Sequence, residues 1–174
     1  MKIALILAAG LMVALAIGYV LRERRPGYGI YYGIAKLTGA PLDIGPVDFA
    51  KLRRRATPND ALLCPPGICP HAKSDFEAKT YDMPPPALLT RLSAIVMSEP
   101  NTGALYCVLC ETQARFVQYS RLMRFPDTID VEVFPVGTDQ STLAIYSRSL
   151  VGYSDLGVNR ARIARWLAAL ERSP

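Results

Sequence analysis

Tyr153, Ser154, Asp155, Asn159 and Arg160 fall within one short stretch between Gly152 and an arginine-rich segment, with Arg148 just upstream. Two kinds of chemistry suit that set. Free backbone amides at a helix N-terminus, flanked by the guanidinium groups of Arg148 and Arg160, would hold a phosphate or a carboxylate. Alternatively, Ser154 or Asp155 accepts hydrogen bonds from those same amides while Gly152 and Gly157 let the chain turn. Asp155 favours the second reading, because its negative charge would stand where the anion should sit. As a binding site the set would be Arg148, Tyr153, Ser154, Asp155, Asn159 and Arg160.

The cysteines raise a second possibility. Cys64-x4-Cys69, His71 and Cys107-x2-Cys110 could supply thiolates to zinc or an iron-sulfur cluster. Residues three apart in a strand face opposite ways, however, and Tyr106-Cys107-Val108-Leu109-Cys110 reads as a strand. Cys64 and Cys69 flank a Pro-Pro-Gly-Ile turn that brings them into disulfide reach. The favoured reading is therefore a Cys64–Cys69 disulfide and no metal, with Cys107 and Cys110 as packing residues or a second bridge. Glu111 follows Cys110 where a c-type haem site needs histidine, so no cofactor is implied.

Other catalytic sets lack parts. His71 is the one histidine, so any serine or cysteine nucleophile with a histidine base would depend on it. Asp127, Asp130, Glu132 and Asp155 are carboxylates without a spacing that pairs them. Arg121 and Arg124, if in a strand, point to opposite faces and form no common cleft; Asp127 after Pro126 reads as a turn residue. Positive charge gathers beside the N-terminal apolar run with no aromatic-interleaved basic patch, which argues against nucleic-acid binding.

The elements that must position these residues are legible in the chain. Leu88, Leu89, Leu92, Ile95 and Val96 recur at helical spacing between prolines, predicting a helix over 86–98. Four short segments rich in β-branched and aromatic residues follow, at 103–110, 114–123, 129–137 and 141–149, separated by turn formers. A last helix over 158–171 places Val158, Ile163, Trp166, Leu167 and Leu170 on one side, with Arg160, Arg162 and Arg165 around the rest. The order predicts an α+β domain: a four-stranded antiparallel meander with helices packed on one face.

Residues 3–21 are 19 uncharged residues, which as a helix reach roughly 28 Å, close to the hydrocarbon thickness of a bilayer. A single transmembrane anchor over 1–25 is the expectation. A cleaved signal is the rival, with a small-residue site at Ala14-Leu15-Ala16. Arg22, Arg24 and Arg25 place the domain in the cytoplasm if the positive-inside rule is read literally, whereas four cysteines fit an oxidising compartment. Residues 26–56 read as a juxtamembrane linker. There Tyr28, Tyr31 and Tyr32 could lie at headgroup level, and Lys51, Arg53, Arg54 and Arg55 either touch anionic lipid or form a solvated charged turn. The globular domain then spans 57–174.

The block Tyr119-Ser120-Arg121-Leu122-Met123-Arg124-Phe125-Pro126-Asp127 and the run from Arg148 through Gly152-Tyr153-Ser154-Asp155-Leu156-Gly157-Val158-Asn159-Arg160 resemble the domain-of-unknown-function family 1499, over about residues 57–170. Asn59-Asp60-Ala61-Leu62-Leu63-Cys64 looks like the opening of one branch of that family. The resemblance implies a single-anchor or exported protein, on the periplasmic side in bacteria, and implies no reaction. The expected protein is a single-pass, membrane-anchored, non-catalytic binding or accessory protein with a periplasmic domain. It would associate with a membrane complex or an envelope ligand. The alternatives are an envelope hydrolase or lipid-processing enzyme using the 152–160 loop, and a lipid carrier with a cavity between sheet and helices.

Overall fold

The structure, a computed structural model, describes residues 10–12, 30–106, 111–121 and 123–172. Apart from 10–12, the expected anchor lies outside the described residues, as do Cys107 and Cys110. Among the described residues no helix is long and apolar enough to cross a membrane. Helix α1 (Ile30–Thr38) comes first, then a 3-10 turn (Phe49–Lys51). Strand β1 (Asp60–Leu63), helix α2 (Pro85–Ser98), strands β2 (Thr102–Tyr106), β3 (Gln113–Tyr119), β4 (Pro126–Pro135) and β5 (Ser141–Ser149), and helix α3 (Val158–Arg172) follow.

The sheet has five strands in the order β1-β5-β4-β3-β2, all neighbours antiparallel. The expected meander is β2 to β5. The fifth strand, absent from the expectation, is β1, which pairs Asp60 with Arg148 and Leu63 with Ile145 along the free edge of β5. It has four residues and no alternation of its own, and its partner is far along the chain, so no local pattern marks it.

Side-chain alternation gives the sheet two buried faces. On one, Ala61, Leu63, Phe116, Ile129, Val131, Val133, Leu143 and Ile145 pack against Leu88, Leu92 and Val96 of α2 and Ile163, Trp166 and Leu170 of α3. Pro85 and Pro86 fill the first positions of α2, where a missing amide costs nothing and the fixed φ favours the helix. On the other face, Leu62, Ala144 and Tyr146 are covered by Phe49 and Leu52 and by the loop carrying Cys64 and Cys69. Helices therefore cover one face, as expected, and an extended strap over residues 41–55 covers the second.

That strap belongs to the stretch, 26–56, expected to be a juxtamembrane linker. Tyr31, expected at the headgroups, is buried: its hydroxyl donates to the Pro41 carbonyl (2.7 Å) and its ring meets Phe125 edge-on at 6.0 Å. Arg54, read as part of a basic cluster, bridges Asp60 at 2.6 Å and Asp75 at 2.8 Å. Lys51 pairs with Asp48, and Arg55 donates to the Ser149 carbonyl at 3.4 Å.

Cys64 and Cys69 form a disulfide around a turn in which Gly67 takes a positive φ of 84°, a conformation open to glycine without a Cβ penalty. Both sulfurs sit in the second core. Replacing both cysteines by serine is expected to lower the unfolding free energy by about 2 kcal/mol, the entropy of a short closed loop. Urea denaturation of the oxidised protein against the variant measures it.

Candidate functional site

The face of the sheet beneath α3 turns polar towards its β5 end. Past Ile145 and Ile129, the inward positions are Ser147, Ser149 and Asp127, with Gln118 alongside on β3. Two α3 side chains come down on them. The Asn159 amide donates to the Asn59 carbonyl (3.2 Å) and Ser149 Oγ (3.0 Å), and its oxygen accepts from Ser147 Oγ (2.6 Å) and from Arg162. The Arg162 guanidinium, 2% exposed, donates to Gln118 Oε1 (2.6 Å), Ser147 Oγ (2.8 Å) and Asp127 Oδ2 (2.7 Å).

Gln118 extends the chain of contacts by donating to Thr102 Oγ1 and to Glu99 Oε2, both at 2.9 Å. Glu99 also accepts from Arg165 and from Trp166 Nε1 (2.9 Å). Burial pushes the Glu99 carboxyl up, but the bonds from Arg165, Gln118 and Trp166 outweigh it and hold the group below its ordinary value.

A second charged cluster lies on the opposite face, under the strap. Asp130, 3% exposed, accepts from Arg115 Nε (2.7 Å) and from the Val47 amide (3.3 Å), with Arg148 at 3.5 Å. Arg115 also holds Asp43 through both terminal nitrogens, at 2.8 and 3.0 Å. The Arg115 bond holds Asp43 below its usual range. Asp130 goes the other way: burial raises its pKa more than Arg115 lowers it. Arg115 is held charged by the same two carboxylates despite its burial. Tyr146, raised by burial and by its 2.5 Å bond to Asp60, completes this side.

The residues proposed from sequence are thereby divided. Arg148 is on the second face, where it donates to Thr128 and to the Gly45 carbonyl (2.6 Å) and lies over the Tyr146 ring; burial lowers its pKa. It does not join the start of α3. Arg160 stacks on Phe76 and reaches Asp75. Ser154 Oγ accepts from the Leu156 amide (3.2 Å), and Asp155 accepts from the amides of Gly157 (3.0 Å) and Asn159 (2.7 Å). Those carboxylate oxygens occupy the place an incoming anion would take. Tyr153 stands out in solvent. Asp155→Ala should cost about 1 kcal/mol in thermal or urea unfolding, the effect of losing a helix cap.

The polar core is carried by Arg162, which the sequence reading missed, together with Asn159, proposed from sequence as part of the loop site, and Asp127. The sequence pattern puts Arg162 on the solvated side of α3 and Val158 on the buried side. Instead Asn159 and Arg162 lie on the buried stripe and Val158 is half exposed. The available signal was spacing: Asn159, Arg162, Trp166 and Leu170 recur every three or four residues, which puts two polar residues on an apolar face. Asp127, read as a turn residue, is a β4 residue paired with Ser149. Arg121 and Arg124 lie past the end of β3, where Ser120 and Phe125 close a turn, and Arg124 donates to Asn101.

Chemically, the 118–162 constellation holds a guanidinium, a carboxylate, two side-chain amides and two serine hydroxyls in fixed positions, each engaged with another protein group. It positions elements, fixing α3 on the sheet, and offers no free nucleophile or base. With Cys64 and Cys69 in a disulfide, neither is a thiolate ligand for a metal.

A five-stranded antiparallel sheet with two helices on one face, a strap on the other and a buried charge cluster in each layer defines a small α+β domain of the two-layer kind. The family described as Protein of unknown function (DUF1499) matches residues 50–170, and the chain belongs to it. The matched span takes in Leu52 and Arg54, both packed on the sheet ahead of β1. No curated protein and no solved structure matches the chain.

Proposed function

We propose that this is a single-pass, membrane-anchored, non-catalytic binding or accessory protein whose domain faces the periplasm and serves a membrane-embedded complex. The observation that carries this reading is the state of the 152–160 loop. Ser154 and Asp155 are engaged with amides of the loop and of the first turn of α3, and Asn159 bonds to Ser149, while Tyr153 and Leu156 face outward. Such a loop is built to touch something rather than to transform it. The apolar run over 3–21 supports the anchor, and the disulfide supports an oxidising compartment.

Native mass spectrometry of the protein extracted from its own membrane in mild detergent tests the proposal. A stoichiometric membrane-protein partner is the expected result. Emergence alone with a bound lipid or metabolite would overturn it in favour of a carrier or an enzyme.

A further inference from the structure

The loop after β5 carries its apolar side chains outward: Val151, Tyr153, Leu156 and Val158 are 37%, 73%, 93% and 50% exposed. Leu156 does so from a left-handed backbone, φ 55°, where a side chain is strained and asparagine or glycine is favoured. The loop does not relax inward because its backbone is tied. Asn59 Nδ2 donates to the Gly152 carbonyl (2.7 Å), the Asp155 amide to Pro58 (3.4 Å), and the Ser154 and Asp155 side chains hold the turn. A rigid display of tyrosine and leucine, maintained against backbone strain, marks a contact surface.

Its place in the fold indicates what it contacts. The Leu150 amide bonds to the Pro126 carbonyl, so the loop shares an end of the sheet with the 120–125 turn, where Met123 and Arg121 are exposed. Phe125 of that turn meets Tyr31 of α1. Helix α1, which adds exposed Ile34 and Leu37 and the basic Lys36, is therefore seated at the same end. Leu21, the last residue of the apolar run, is ten residues from Tyr31, a span that cannot exceed about 36 Å. The chain thus enters the domain at the end that carries the apolar tip. Arg55, bonded to the Ser149 carbonyl, adds positive charge there, while of the carboxylates at this end Asp155 caps α3, Glu99 pairs with Arg165 and Asp127 pairs with Arg162.

Resting on the reading of residues 3–21 as an anchor, we infer that this end of the domain docks into the interface of an anionic bilayer, with Tyr153 and Leu156 entering below the headgroups. Aromatic and leucine side chains backed by Lys and Arg are the composition that interface selects.

The test uses the full chain carrying Tyr153→Trp, reconstituted into phosphatidylglycerol-containing vesicles with and without lipids brominated on the acyl chain. Trp166, 1% exposed, supplies a constant background measured in the unsubstituted protein. Flotation after alkaline washing reports the anchor separately. The introduced indole should lose on the order of half its emission to bromines, as expected for entry to about 5–10 Å, and less in pure phosphatidylcholine. Adding Leu156→Asn should restore most of that emission with no fall in thermal stability, since asparagine suits the left-handed backbone. Protein that floats with its indole unquenched overturns the docking while leaving the anchor standing. Protein that does not float overturns the anchor, and the docking with it. An indole unquenched in vesicles but shielded by a co-purified protein in native membranes assigns the tip to a protein partner and also overturns the inference.

Discussion

Arg162→Ala is expected to lower the unfolding free energy by about 3–5 kcal/mol, the range for removing one member of a buried ion pair. The urea midpoint should fall with little change in slope. The loss arises from what is left behind. Arg162 donates to Asp127, Gln118, Ser147 and Asn159, and Asp127 is itself 9% exposed. Truncation takes the guanidinium from the Asp127 carboxylate and from Gln118 Oε1, while Asn159 keeps its bond from Ser147, and a buried group stripped of its partner costs more than the net gain of a hydrogen bond. Arg162→Lys should recover only part, since an ammonium cannot span the planar fork that reaches Gln118 on one side and Asp127 on the other. Adding Asp127→Leu to Arg162→Met should be milder than Arg162→Met alone, because it removes the stranded charge. If Arg162→Ala unfolds at the unsubstituted protein's midpoint, α3 is held by Ile163, Trp166 and Leu170 without help from the polar core.

The difficulty of finding Arg162 in the sequence shows which interactions are locally encoded. Ser141–Ser149 is readable because β-branched and apolar residues accumulate between clear turn formers, and β5 occupies those positions. The 86–98 helix is readable from its leucine spacing, and α2 differs from it by one residue at the start. The capping role of Asp155 is readable because its partners are the next few amides. Arg162 is harder to read, since Arg160 and Arg165 flank it: its spacing with Trp166 and Leu170 puts it on the buried stripe, but its partners Asp127 and Gln118 are distant in sequence and leave no local mark. Arg148 poses a parity problem: alternation puts it opposite Ser147 and Ser149, yet only the descent of Asn159 onto those serines shows which face is which. The strap is harder still. Asp43, Val47, Phe49, Leu52 and Arg54 follow neither helical nor strand period, because extended chain laid across a sheet contacts it irregularly.

The strap leads to the second large effect. In Arg115→Met, Asp43 loses its bidentate partner and Asp130 loses its 2.7 Å donor, retaining Arg148 at 3.5 Å and the Val47 amide. A nearly buried carboxylate is then left with a weaker cation, and a destabilisation of about 3–5 kcal/mol is expected. Its distribution should be uneven. Residues 43–52 should lose amide-exchange protection first, while β4 and β5 retain theirs, since the strap is tied at Asp43 and Val47 whereas the sheet is also held by the α2 and α3 core. The pH dependence has a definite sign. Asp130 already binds its proton more tightly in the fold than in the unfolded chain, and loss of Arg115 strengthens that preference. The folded variant therefore holds more protons than the unfolded chain between the two pKa values, so its stability falls as pH rises through that window. The deficit is fully present above the folded pKa and shrinks as pH drops through it. Arg115→Met with Asp130→Asn should abolish that recovery and regain part of the stability at neutral pH. Unchanged protection over 43–52 in Arg115→Met would instead assign the strap's hold to Phe49 and Leu52, and would leave the charged cluster as a consequence of the strap's position rather than its cause.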